Sequence, residues 1–264
     1  MDLKLKGKTA LVTGSTKGIG KAIAKSLAGE GVDVIINGRN KNEIKDVLAE
    51  IKHLYPQTNP KIAQGDLSKQ EDLEKVTLHY PEIDILINNI GIYEQMNYQD
   101  ITSEVWKRYI DHNFMIADNL CKFYLPKMIE KNNGKIIFIA SEEAMLPNGM
   151  MPQYAVTKSM ILSLAKSLSL ITRDSNVNVN TVMPGPTITE NVKSIITFLN
   201  KDKQENFNII EERFVKENIP DLQLGRFIRP DEIGQTVAFM CSPITMPMKG
   251  TVLRMDGGII PTIY

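Results

Sequence analysis

Seven short apolar runs, set at intervals between longer amphipathic stretches, constrain this chain more than any other feature. They are "TALVT" (9–13), "VDVIIN" (32–37), "KIAQ" (61–64), "IDILIN" (83–88), "KIIFIA" (135–140), "VNVNTVM" (177–183) and "TVLRM" (251–255). Several are apolar almost end to end, without the alternation of a strand that has one wet face, which is the pattern of strands buried on both sides. The stretches between them are long enough for helices. The spacing therefore predicts right-handed β–α–β crossovers and a doubly wound α/β fold, a seven-stranded parallel sheet with helices on both faces, built as one domain over residues 1–264. One segment breaks the rhythm. After "MPGP" (183–186), residues 187–224 carry helical patterns such as "NVKSIITFL" and "NIIEERFV", with no strand before "LGRFIRPDEIG" resumes the core. Ligands of open α/β sheets sit outside the carboxyl ends of the strands, and this excursion leaves from such an end, so a helical substrate lid is expected there.

Composition narrows the function classes. Thirty-one Lys and Arg balance 31 Asp and Glu, which leaves no global positive field of the kind that nucleic acid or an anionic membrane would need. A small-molecule partner fits better. Cys121 and Cys241 lie in separate helical patterns with neither CxxC nor histidine at ligand spacing, so no disulfide framework and no metal site are expected. The start, "MDLKLKGK", alternates apolar and charged residues, and no run reaches the apolar length of a membrane span, which points to a reduced, cytoplasmic setting.

"VTGSTKGIGKAIAKSLA" runs from the first strand into a helix and spaces its glycines as Gly14, Gly18 and Gly20. Glycines allow a tight turn and close approach of the backbone to a pyrophosphate, while the free N–H groups and dipole of the helix beginning near Gly18 favour its negative charge. Such a turn also occurs where nothing binds. The tip of the second strand adds discrimination, because an acid there holds the ribose hydroxyls of NAD whereas a base accommodates the 2′-phosphate of NADP. "IINGRNK" places Arg39 at this tip, flanked by Asn37 and Asn40, and no acid; Lys17 in the glycine loop is a second cation. The two could converge on a phosphate monoester, which favours NADP(H) over NAD(H), although either alone is more often an ordinary solvated surface charge. Asp66 after the third strand reads either as an adenine contact or as the N-cap of a helix beginning near Ser68.

The fifth strand ends at Ser141, and Tyr154 follows thirteen residues later with Lys158 one helical turn beyond. Pro152 suits the first turn of that helix, and Ile161, Leu164, Ala165 and Leu168 give it a core-facing stripe. Serine, tyrosine and lysine thus meet at the carboxyl edge of the sheet. A tyrosine with an ordinary pKa of about 10 is a poor proton carrier near neutrality, and an ammonium one turn away lowers it by stabilising the phenolate. Such a phenol can give a proton to the alkoxide that forms when hydride reaches a carbonyl, while the serine hydroxyl holds the oxygen.

Taken in order, "TGSTKGIG", "NNIG", Ser141–x12–"YAVTK", "MPGPTIT" and "DGG" resemble the short-chain dehydrogenase/reductase family over nearly the whole chain. The resemblance implies a Rossmann fold and an NADP-dependent enzyme that interconverts a ketone and a secondary alcohol. It implies that Ser141 orients substrate, Tyr154 is the acid/base, Lys158 lowers the tyrosine pKa and holds the nicotinamide ribose, and Asn113 completes a proton relay through water. Cofactor contacts would come from Gly14, Ser15, Lys17, Gly18, Ile19, Gly20 and Arg39, from Asp66, Leu67, Asn89 and Gly91, and from Pro184, Gly185, Thr187 and Thr189, besides Tyr154 and Lys158. A homodimer or homotetramer packed through helices near 102–130 and 152–173 is also implied. Two positions depart from the family pattern: Ile90 stands where it usually has alanine, and "EEA" after Ser141 is acidic. Met145, Met150 and Met151 read either as an adaptable pocket wall or as core filler. Two other functions share this fold: reduction of a substrate on an acyl carrier protein, for which Lys127, Lys131 and Arg173 are candidate docking cations, and nucleotide sensing without catalysis, which would not need a tuned phenol.

Overall fold

The computed structural model describes residues 1–200 and 205–263. Strands form on all seven apolar runs: β1 (Thr9–Val12), β2 (Asp33–Gly38), β3 (Lys61–Gln64), β4 (Ile85–Asn88), β5 (Gly134–Ile139), β6 (Val177–Pro184) and β7 (Val252–Met255). They make one sheet in the order β3-β2-β1-β4-β5-β6-β7, with every neighbouring pair parallel. The order reverses between β1 and β4, and a crevice opens at such a switch point.

Successive strand residues feed opposite layers. Ala10, Val12, Val34 and Ile36 pack with α1 (Gly18–Gly29), α2 (Lys41–Leu54) and α9 (Pro230–Cys241). Leu11, Ile35, Leu86 and Ile136 pack with α3 (Gln70–His79), α5 (Ile116–Glu130) and α6 (Pro152–Ile171). The central strands β5 and β6 are buried throughout. This explains why their sequences read as continuous apolar runs. Two of the polar exceptions in β6 are paired: Asn178 Nδ2 and Asn180 Nδ2 each donate to Met248 O at 2.7 Å, and Asn178 Oδ1 accepts from Lys135 Nζ at 3.1 Å. They tie down the turn that leads into β7.

Between β4 and β5 the chain forms α4 (Ser103–Ile110), then a widened π turn at Asp111–Met115, then α5. Beyond β6 the excursion contains α7 (Glu190–Leu199) and α8 (Phe207–Asn218). These helices close on an apolar cluster of their own, Ile196, Ile210, Val215, Leu222 and Phe227. Glu211 anchors the cluster. Only 2% exposed, it accepts from both Arg229 Nη1 (2.6 Å) and Nη2 (2.7 Å) and from the Phe227 N–H (3.1 Å), fixing α8 against the start of α9. Among the described residues no helix is long and apolar enough to cross a membrane, and no group of three or more His, Cys, Asp or Glu could hold a metal ion. Burial pushes both cysteine thiols up to about 12, so neither is a thiolate near neutrality.

Candidate active site

The glycine loop turns on Gly14 in the left-handed region (φ +61°), and Asn37 Oδ1 accepts the Gly14 N–H at 3.1 Å. Gly20 is required for closeness. A Cβ there would lie 2.4 Å from Gly14 O and 2.5 Å from Asn89 Nδ2, and it is the same Asn89 amide that donates to Thr13 O (2.9 Å) and Gly14 O (3.2 Å). Loop, helix and β4 tip are thereby locked into one cradle. Its anion-binding ability is visible at Gly18, whose N–H donates to the carboxylate of Glu190 at 3.2 Å. A negative group already occupies the position where the helix N-terminus favours one.

Beside this loop lies a cavity of about 430 Å³ lined by Gly14, Lys17, Arg39, Asp66, Leu67, Asn89 and Gly91, seven of the expected cofactor contacts. Thr16, within the glycine-rich motif but not singled out there, joins them, as do Ile92, His112 and Ile116, positions that carried no motif. Arg39 is exposed on the rim. Lys17 is engaged differently from expectation: its ammonium pairs with Glu43 at 2.8 Å, so only Arg39 of the two cations remains for a phosphate in this arrangement. Asp66 accepts from the Ser68 N–H (3.2 Å) and hydroxyl (2.7 Å); burial opposes the charge, but these bonds hold its carboxyl below the usual range. It does not cap a helix, since α3 starts four residues later at Gln70 with Lys69 as its N-cap. Ser15 does not face the cavity either. Its hydroxyl donates to Val12 O and accepts from Asn37 N–H, making it an internal brace between β1 and β2.

A second cavity of about 360 Å³, also at the carboxyl edge, brings together Ser141, Tyr154, Ile19, Pro184, Gly185, Thr187 and Thr189. Gly18 and Thr189 meet again in a third cavity, of about 550 Å³, beneath α7 and α8. Pro152 opens α6 as its first residue, and Tyr154 and Lys158 follow on one face. Lys158 is 4% exposed, donates to Ile139 O at 2.9 Å, and lies 5.6 Å from the centre of the Tyr154 ring. Behind it, a Cβ on Gly91 would come within 3.2 Å of the ammonium, so the floor of the first cavity reaches Lys158.

The electrostatics differ from the simple expectation. Burial pushes the Tyr154 phenol up, opposed by the Ser141 hydroxyl and reinforced by Glu142, Tyr93 and Glu143. Burial likewise pushes the Lys158 ammonium down to about 8. Neither charge is favoured where water is scarce, and this outweighs the mutual help that the two groups could give. Tyr154 therefore rests as a neutral phenol carrying its proton. Asn113 is buried in the π turn, and both ends of its amide are engaged: Oδ1 accepts from Ile92 N–H (2.7 Å), while Nδ2 donates to Ile92 O (3.0 Å) and Thr157 Oγ1 (2.9 Å). The side chain thus positions the β4 loop against α6.

The substrate side of the second cavity also has unexpected walls. Tyr93, whose ring centre is 6.0 Å from that of Tyr154, and Phe227 line it, neither marked by a motif. Of the three methionines only Met151 lines it; Met145 and Met150 are 41% and 49% exposed. Ile90 closes against the glycine loop, where a Cβ on Gly14 would meet it at 3.0 Å. The candidate docking cations lie elsewhere. Lys127 donates to Pro81 O, Lys131 pairs with Glu82, and Arg173 follows the end of α6, all at the amino edge of the sheet, opposite the cavities.

Comparison with known proteins matches this geometry to a group of enzymes. The model of the family described as short chain dehydrogenase matches residues 8–200. Over 264 residues, covering all of both chains, the sequence is 44% identical to YvaG, an uncharacterized oxidoreductase of Bacillus subtilis. It is 32% identical to the 3-oxoacyl-[acyl-carrier-protein] reductase FabG of Aquifex aeolicus, covering 98% of this chain and all of that one. The structure of an L-sorbose reductase from Gluconobacter frateurii, complexed with NADPH and L-sorbose, superposes with a TM-score of 0.91 at 27% identity over the full length of both chains.

Proposed function

Because the chain belongs to the short chain dehydrogenase family of oxidoreductases, we propose that it interconverts a ketone and a secondary alcohol with NADP(H), using Tyr154 as the acid/base. The observation that carries this reading is Tyr154 itself: a phenol held in its protonated form, lining one cavity with Ser141, with Lys158 behind it. NADPH, when bound, supplies the hydride. The residues fit such a cofactor, since the Gly20 cradle excludes any side chain and the Gly18 N–H already holds a carboxylate. Arg39 would face a 2′-phosphate, and the L-sorbose reductase of similar fold was solved with NADPH.

In the reducing direction the Ser141 O–H holds the substrate oxygen, and the Tyr154 O–H passes its proton to that oxygen as the carbonyl carbon becomes tetrahedral. A phenolate is left, and the Lys158 ammonium stabilises it until solvent returns the proton. The α7–α8 excursion covers the substrate, with Thr187, Thr189 and Val192 on its cavity side. Leu170 and Ile171, both more than half exposed beside an apolar groove between α5 and α6, support self-association through those helices. Tyr154→Phe tests the reading: carbonyl-dependent NADPH oxidation should fall at least about 100-fold with the melting temperature unchanged. Full turnover by the variant would refute the assignment.

A further inference from the structure

The reading of a carbonyl reductase leaves one group in the substrate cavity without a task. Glu142 lines that cavity with Ser141 and Tyr154, and its Oε2 accepts the Ser141 hydroxyl proton at 2.6 Å. The neighbouring Glu143 lines it too, with its carboxylate accepting the Asn148 N–H at 3.2 Å. Among the described residues lining this cavity none is Lys, Arg or His, and among the described residues Glu142 has no ion-pair partner. Burial pushes its carboxyl up to about 7, reinforced by Glu143 and opposed by the Ser141 hydroxyl and the backbone N–H groups of Glu142 and Glu143, with no counter-charge.

The Ser141 hydroxyl has one proton, and it is donated to Glu142. To bind a substrate carbonyl, Ser141 must turn that proton away, and the Glu142 carboxylate loses its one side-chain donor. A half-buried carboxylate that gives up a hydroxyl donor loses stabilisation, so substrates that restore the bond are favoured over those that do not. The donor to be supplied must lie one hydrogen-bond length from the Glu142 carboxylate oxygen, which is itself 2.6 Å from the serine oxygen that holds the carbonyl. A donor on the carbon next to the carbonyl stands at that separation from the carbonyl oxygen. A carboxylate in the same place would meet the Glu142 and Glu143 carboxyls in a cavity that no Lys, Arg or His lines among the described residues.

We propose that Glu142 is a specificity-determining residue that selects ketones bearing a hydroxyl or ammonium donor on the carbon adjacent to the carbonyl, and rejects 2-oxo acids. This rests on the reductase reading above. The donor takes the Glu142 carboxylate, and the Ser141 proton is released to the substrate oxygen.

The test measures kcat/KM with NADPH for four compounds of similar size: hydroxyacetone, aminoacetone, butanone and pyruvate. The wild type should prefer at least one of the first two over butanone by at least about tenfold, with pyruvate the poorest. In Glu142→Ala that preference should collapse to within about threefold, mainly through KM for the donor-bearing substrate. Glu142→Gln separates the two sources of donor, because it keeps an acceptor for a hydroxyl but removes the charge an ammonium needs. It also serves should the alanine variant fail to fold. A preference for butanone or pyruvate in the wild type, or a preference unchanged in both variants, overturns the proposal while leaving the reductase reading in place. Turnover of none of the four by NADPH-loaded wild type overturns both.

Discussion

Replacing Lys158 with methionine removes a buried charge while keeping a side chain of similar reach, and it separates what the residue does for chemistry from what it costs the fold. Burial lowers the ammonium from 10.5 to about 8. The folded pKa lies below the unfolded one, so the folded state penalises the protonated form. That penalty is complete below about pH 8 and fades as pH rises towards 10.5, where the unfolded chain loses the proton as well. At roughly 1.4 kcal/mol per pKa unit, the difference of about 2.5 between 10.5 and 8 is worth about 3.5 kcal/mol near pH 7. The lost charge-assisted bond to Ile139 O offsets about 1.5–3 kcal/mol of the relief. Lys158→Met should therefore be between unchanged and about 2 kcal/mol more stable than wild type at pH 7.5, although its turnover is lost. Between pH 7.5 and 9.5 the wild type should regain about 2 kcal/mol relative to the variant. Lys135, also lowered to about 8, titrates in both proteins and cancels. Urea unfolding of the cofactor-free proteins at the two pH values measures the difference. A stability gap that does not change with pH would refute the argument, as would a variant destabilised by more than about 3 kcal/mol at pH 7.5.

Two further outcomes concern the nucleotide end. Arg39→Glu should raise KM for NADPH at least about tenfold while leaving KM for NADH nearly unchanged, measured with one carbonyl substrate, and equal effects on both would remove the phosphate role of Arg39. Gly20→Ala drives a methyl group into Gly14 O and Asn89 Nδ2, at 2.4 and 2.5 Å before relaxation. It should cost about 1–3 kcal/mol in thermal unfolding and weaken cofactor binding, and an unaltered melting temperature with unaltered affinity would show the cradle to be looser than described.

The sheet was legible because strands buried on both faces have no wet side to encode, so "IIFIA" (136–140) and "ILI" (85–87) stand out as unbroken apolar runs. The serine, tyrosine and lysine were legible because each sits at a fixed offset from the end of a strand or the start of a helix. Tyr93 and Phe227 were not: they reach the cavity from loops far apart in sequence, and no local period announces where a loop side chain will point. Ser15 looked like part of a binding loop because only the folded partner, Asn37, shows that its hydroxyl is already committed. The same holds for Lys17, whose partner Glu43 lies beyond both α1 and β2, 26 residues on. The lowered tyrosine pKa failed as a resting property for a related reason. Helical spacing gives the direction of a neighbour's charge but not the degree of burial that competes with it.

The Asn113 side chain takes the N–H and gives to the C=O of the same residue, Ile92. That is the pair of bonds by which one strand residue engages its neighbour across a sheet. A single carboxamide thus behaves as a borrowed peptide group, extending the sheet by one rung beyond the tip of β4 where no further strand lies. The rung is donated by a helix, so the loop carrying Gly91 is held in place without a chain alongside that would block the cavity. Aspartate cannot stand in, because it would offer an oxygen to Ile92 O where a donor is needed, and a longer amide would push the loop outward. The position of the loop that floors the site is therefore set by the chemistry of one side chain, supplied from the π turn.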